Sequence, residues 1–171
     1  LAEVIATTKP YPRVTSLHDL MLGGEFILAA EYDGNYYALG NTIGLKIDPV
    51  EVTVSDDVIN ADSLPVWTVE ATDTGVAFKS GTDYLAYGSS ASFKKSTDAY
   101  AWNVAEVTDN GTFRFTASDN ETRAIAYGTS QNKFGAYAAS NTSGYVFDLM
   151  VFKAGSDDNK EEASDSIKGV L

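Results

Sequence analysis

The chain contains no cysteine and a single histidine, His18. The first absence excludes disulfides, thiolate metal sites and a cysteine nucleophile, while leaving the compartment open. The second excludes a multi-histidine metal centre and leaves one imidazole, beside Asp19 in a turn, as the whole supply of that general base. Capping or surface placement suits His18 better than catalysis, because no Gly-X-Ser-X-Gly elbow accompanies it. No apolar run approaches the roughly 18 residues of a membrane-spanning helix. Positive charge is scarce: 12 Lys and Arg stand against 24 Asp and Glu, a net charge of -12. Nucleic acid and anionic membrane surfaces are therefore repelled. Helical periodicity is missing too, apart from one turn at SLHDLML, where Ser16 is placed to cap and Gly23-Gly24 to stop.

What is present is strand. Short alternating runs bounded by Gly, Asp, Asn and Ser recur from EFILAAEY through NYYALG, EVTVSD, VWTVEA, GVAFKS, DYLAYG, AWNVAEV, TFRFTAS and AIAYGT to FDLMVFK. At 171 residues the chain is long enough for one domain with its own core. Beginning at Leu1 without a Met or a signal-peptide pattern, it reads as a mature or trimmed product. Residues 1–12 read as an N-terminal extension and 13–154 as the domain. Residues 155–171 read as an acidic flexible tail or linker, with Asp157, Asp158, Glu161, Glu162 and Asp165 against Lys160 and Lys168.

The runs repeat in a fixed order. A strand opens at Gly24, Gly75 or Gly111, a second ends at Gly40, Gly88 or Gly128, and a third begins near Trp67, Trp102 or Phe147. Three units of roughly 35 to 50 residues result, with the interval before the third strand free to lengthen and, in the first unit, to hold an extra strand. Alternation then assigns faces. Tyr37 and Leu39, Leu85 and Tyr87, and Ile125 and Tyr127 are expected to point inward. Ala38, Ala86 and Ala126, with Tyr36, Tyr84 and Ala124, take the opposite face. Trp67, Trp102 and Phe147 are expected at equivalent, mostly buried positions.

Gly-led strands, aromatic-Leu-Gly strands and closing Trp strands in three units resemble the β-trefoil across about Arg13 to Lys153, with RVTS pairing near the terminal DLMVFK. A closed antiparallel barrel of about six to eight strands is the alternative all-β fold. The words VTSLHDLMLGGEFILAA, YLAYGSS, AWNV and SGYVFDLMVFKAG are also similar to a recurrent module in secreted or surface proteins of gut Bacteroidetes. That resemblance implies an extracytoplasmic location, secreted or at the cell surface. The Gln-X-Trp signature of ricin-type lectin trefoils is absent, so the sugar pocket of that family is not implied. An inhibitor of the soybean trypsin type shares the trefoil, but no disulfide-supported Arg or Lys loop accompanies it here.

The pairs Asp56-Asp57 and Asp157-Asp158 are adjacent in sequence, so on a strand neither aims two carboxylates at one bond. The turns TDNG from Thr108 and SDNET from Ser118 lack the spacing of an EF-hand loop and read as hairpins. No cofactor, metal site or catalytic residue is assigned, and the chain reads as a non-catalytic binding module. The stretch Gly128 to Tyr145 combines Ser, Thr, Asn and Gly with Phe134, Tyr137 and Tyr145, the style of a loop offering flat rings beside amide and hydroxyl donors. It is expected to hold a carbohydrate, with Phe134 or Tyr137 as an exposed ring platform and Asn132, Asn141 or Arg123 at its edge. Asp83 with Tyr84, and Tyr36 after Asn35, form two further candidate subsites. Docking of a structural or adhesion domain to a surface protein is the alternative.

Overall fold

The computed structural model describes residues 9–155; the expected tail from 156 onward and residues 1–8 lie outside them. Its strands are β1 (Pro10–Val14), β2 (Gly24–Tyr32), β3 (Asn35–Leu39), β4 (Pro49–Val52), β5 (Val54–Ser55), β6 (Val58–Asn60), β7 (Trp67–Ala71) and β8 (Gly75–Ser80). There follow β9 (Asp83–Tyr87), β10 (Phe93–Ser96), β11 (Trp102–Val107), β12 (Thr112–Ala117), β13 (Asn120–Gly128), β14 (Lys133–Ala138), β15 (Tyr145–Val146) and β16 (Met150–Lys153). The one helix, α1 (Leu17–Met21), is the expected turn: Ser16 Oγ accepts from Asp19 N, and Gly23 leaves the helix at φ 76°. The TDNG and SDNET hairpins are also present, and in each the Asn side-chain oxygen accepts from a threonine two residues on.

All ladders are antiparallel and join into one sixteen-strand sheet that is not closed. Its path runs β14-β13-β12-β11-β8-β7-β2-β16-β1-β6-β5. The chain between β15 and β16 is bridged to β12 by Phe113 and Leu149, which exchange two backbone bonds of 2.8 Å. Arg13 and Val14 pair with Phe152 and Val151, as expected for RVTS and DLMVFK. The same strand extends back to Pro10, where Pro10, Tyr11 and Pro12 pair with β6 and Tyr11 is buried. The first strand thus starts ahead of residue 13, and the interval between Gly40 and Trp67 holds β4, β5 and β6.

The central core contains Leu39, Leu85, Ile125 and Tyr127, with Tyr37 and Tyr87 packed on it, so the face assignment by alternation is correct. Ala38 and Ala126 lie in two satellite clusters on the other side. Phe26 pairs with Trp67, Val76 with Trp102, and Phe113 with Leu149. Leu149, not Phe147, therefore makes the third of these pairings and sits with both tryptophans in the central core. Phe147 is buried two residues earlier, in the cluster of Ala124, Ala126 and Tyr137. Trp67 Nε1 donates to Leu39 O at 3.1 Å and Trp102 Nε1 to Leu85 O at 3.0 Å. Each indole so buries its ring, worth on the order of 1.5–3 kcal/mol, without stranding its N–H.

Those two bonds correct a register. Matching the glycines sets Leu39 beside Tyr87, but the indoles set Leu39 beside Leu85. The hairpin of β2 and β3 closes at Tyr32–Asn35, two residues farther along β2 from its tryptophan pair than Ser80–Asp83 lies along β8. A shift of two keeps the face.

Candidate functional site

The stretch Gly128 to Tyr145 is not an open loop. β14 occupies its middle and pairs with β13 along its full length. Phe134 is fully buried, bridging to Ile47 by two backbone bonds of 2.8 and 3.0 Å. Tyr137 is 4% exposed, its hydroxyl donates to Lys133 O at 3.1 Å, and burial pushes its phenol up to about 12. Neither ring is a platform, because both faces of β14 are covered. Tyr137→Ala is expected to cost about 3 kcal/mol in denaturant unfolding. An unchanged unfolding midpoint would place the ring outside the cluster.

Arg123 donates to Ala136 O at 3.3 Å, and Asp119 accepts from the Tyr100 hydroxyl. Asn132 stands exposed at φ 57° and accepts from the Tyr127 hydroxyl at 2.5 Å. Tyr127 in turn stacks on Tyr37, centroids 4.8 Å apart and planes within 10°. Tyr84 donates to Glu70 at 2.9 Å, which raises its pKa, and Lys79 Nζ lies 5.4 Å from its ring. Asp83 lines a cleft of about 200 Å³ with Asn41, Ser80 and Lys95. Tyr36 packs half-buried on the cluster of Ile27, Ile59 and Phe152. The eight expected residues thus line no common cleft, and two of them, Phe134 and Tyr137, are buried.

One of them, Asn141, lines a larger cleft of about 520 Å³. Its walls are the Ser140-Asn141-Thr142 turn, Tyr145, Phe147 and an ion pair the sequence did not suggest, Arg114 with Asp148. β12 carries Arg114 outward between the buried Phe113 and Phe115, and the Phe113–Leu149 bridge holds Asp148 beside it. Arg114 Nε and Nη2 donate to Asp148 Oδ1 at 3.2 and 3.0 Å. The guanidinium carbon lies 5.2 Å from the centroid of the Phe147 ring. Tyr145 is half-buried, its ring 4.5 Å from Tyr137 and its hydroxyl accepting from Gln131 at 3.3 Å. The loop composition pointed to this cleft, but the ring that lines it is Tyr145, named with the loop yet outside the set expected to bind.

Asp148 is the one carboxylate among the residues lining the cleft, and no group of three or more metal-ligating side chains is gathered among the described residues. The arrangement provides a held ring, amide and hydroxyl groups and a charge pair, all on structured walls. The chain matches no family model, no curated protein and no solved structure.

Proposed function

We propose that the chain is an extracytoplasmic, non-catalytic module that binds carbohydrate in the Arg114–Asp148 cleft, on a scaffold of three trefoil-like units. The cleft itself carries the reading. A partly buried tyrosine offers a flat apolar face to sugar C–H groups, while Arg114, Asp148 and Asn141 offer the directional bonds that hydroxyls need. A single carboxylate favours binding over hydrolysis, since glycoside cleavage uses a pair. The extracytoplasmic placement rests on the resemblance of the AWNV and SGYVFDLMVFKAG words to secreted and surface modules.

Several contacts support the three-unit scaffold. The two indole-to-carbonyl bonds are alike, and Phe26, Val76 and Phe113 each find a buried partner in or near the third strand of the same unit. At one end Ile47 bonds Phe134, Phe93 N donates to Leu45 O at 2.9 Å, and Ala136 N donates to Ala91 O at 3.0 Å, tying the units pairwise. The alternative, docking to a surface protein, has one observation of its own: Leu45 is 71% exposed.

Glycan-array screening followed by calorimetry tests the carbohydrate reading. Tyr145→Ala and Asp148→Ala are each expected to weaken binding at least tenfold, about 1.4 kcal/mol, with the unfolding midpoint nearly unchanged for Asp148→Ala. Absence of binding to any plant, host or microbial glycan at millimolar concentration overturns it.

A further inference from the structure

The bonds inside the ion pair specify more than its presence does. Both Arg114 donors, Nε and Nη2, converge on Asp148 Oδ1, so one edge of the guanidinium is spent on one carboxylate oxygen. Among the described residues Oδ2 accepts no bond and Nη1 donates none. Both side chains are about one-third accessible, at 40% and 34%, and both line the cleft. The surface they offer is an acceptor beside a donor, with the Phe147 ring 5.2 Å from the guanidinium carbon.

We infer, resting on the carbohydrate reading above, that this cleft selects neutral sugars through two adjacent hydroxyls, one donating to Asp148 Oδ2 and its neighbour accepting from Arg114 Nη1. Hydroxyls suit this pair because each is both donor and acceptor. A carboxylate, sulfate or phosphate does not suit it. Arg114 is already neutralised by Asp148, so an anionic ligand gains little from the arginine and meets the free oxygen of the aspartate. The chain's net charge of -12 repels anions before they arrive. Tyr145 would cover the apolar face of the same sugar, leaving Asn141 to bond a hydroxyl farther round the ring.

The test titrates the full chain with the methyl glycosides of mannose, galactose and glucose, their monodeoxy analogues, glucuronic acid and N-acetylneuraminic acid, following calorimetry and amide shifts. At least one neutral glycoside is expected to bind. Removing either of two adjacent hydroxyls should weaken it tenfold or more, with little dependence on salt. Asp148→Asn should lose the neutral sugar at least tenfold and gain glucuronic acid, because Arg114 is then uncompensated. Wild-type preference for an acidic sugar, or monodeoxy analogues that bind equally well, overturns the inference and leaves the carbohydrate reading standing. No binding by any of these sugars, to wild type or Asp148→Asn, removes both.

Discussion

Trp102→Ala is expected to destabilise the protein by about 4 kcal/mol, within the range for removing a buried tryptophan. The indole is fully buried, meets Phe93 and Tyr100 edge-on at 6.1 and 5.3 Å, and donates to Leu85 O. Three losses coincide: the apolar area, the cavity that flanking strands cannot close, and a buried carbonyl deprived of its partner. Urea unfolding should show a lower midpoint at unchanged slope. Trp102→Phe keeps most of the ring and loses the N–H, so it should cost less than half as much. Leu22→Ala, at a side chain 65% exposed, should shift the midpoint by less than about 0.5 kcal/mol. A Trp102→Ala cost near that of Leu22→Ala would remove Trp102 from the core.

The inward face was readable because it depends only on parity. Leu39, Leu85 and Ile125 meet in the core even though glycine matching misplaces Leu39 by two residues, since an even shift leaves every side chain on its side. The identity of equivalent residues was less readable. Phe147 looked like the third tryptophan because it is aromatic, but the position is defined by pairing to Phe113, and Leu149 makes that pair. β14 was read as loop for a different reason. Phe134 and Ala136 face the central core while Tyr137 enters a second cluster, so both faces are buried and no polar alternation marks the strand.

The candidate site was legible in one wall only. Ser140, Asn141 and Thr142 announce a polar turn by composition. The opposite wall brings together Arg114 and Asp148, 34 residues apart, through a two-bond bridge whose existence no local pattern implies. Alternation along TFRFTA does place Arg114 outward, yet it cannot name the carboxylate it meets. Proximity of distant strands is decided by ladder register, and register is a property of the whole sheet.

Gly75→Ala is expected to be as damaging as Trp102→Ala, although it adds one carbon and removes nothing. A Cβ at Gly75 would lie 2.7 Å from the Trp102 carbonyl carbon and 3.0 Å from the Asn103 Cα, closer still to the carbonyl oxygen. All of these are backbone atoms, so no side chain can swing aside. The two pairs joining β8 to β11 are Gly75–Asn103 and Val76–Trp102. Relief therefore requires prying β8 and β11 apart, or displacing the indole from Leu85 O. Overpacking of this kind costs on the order of 3 kcal/mol. Gly34→Ala is the contrast: no atom lies within 4 Å of its Cβ, and φ is +81°, so only left-handed strain of about 1 kcal/mol is added. Hydrogen exchange should separate the two mechanisms, with Gly75→Ala exposing the amides of Val76 and Trp102 and Gly34→Ala leaving them protected. Equal midpoints and equal protection in the two variants would mean that β8 and β11 do not approach as closely as this seam requires.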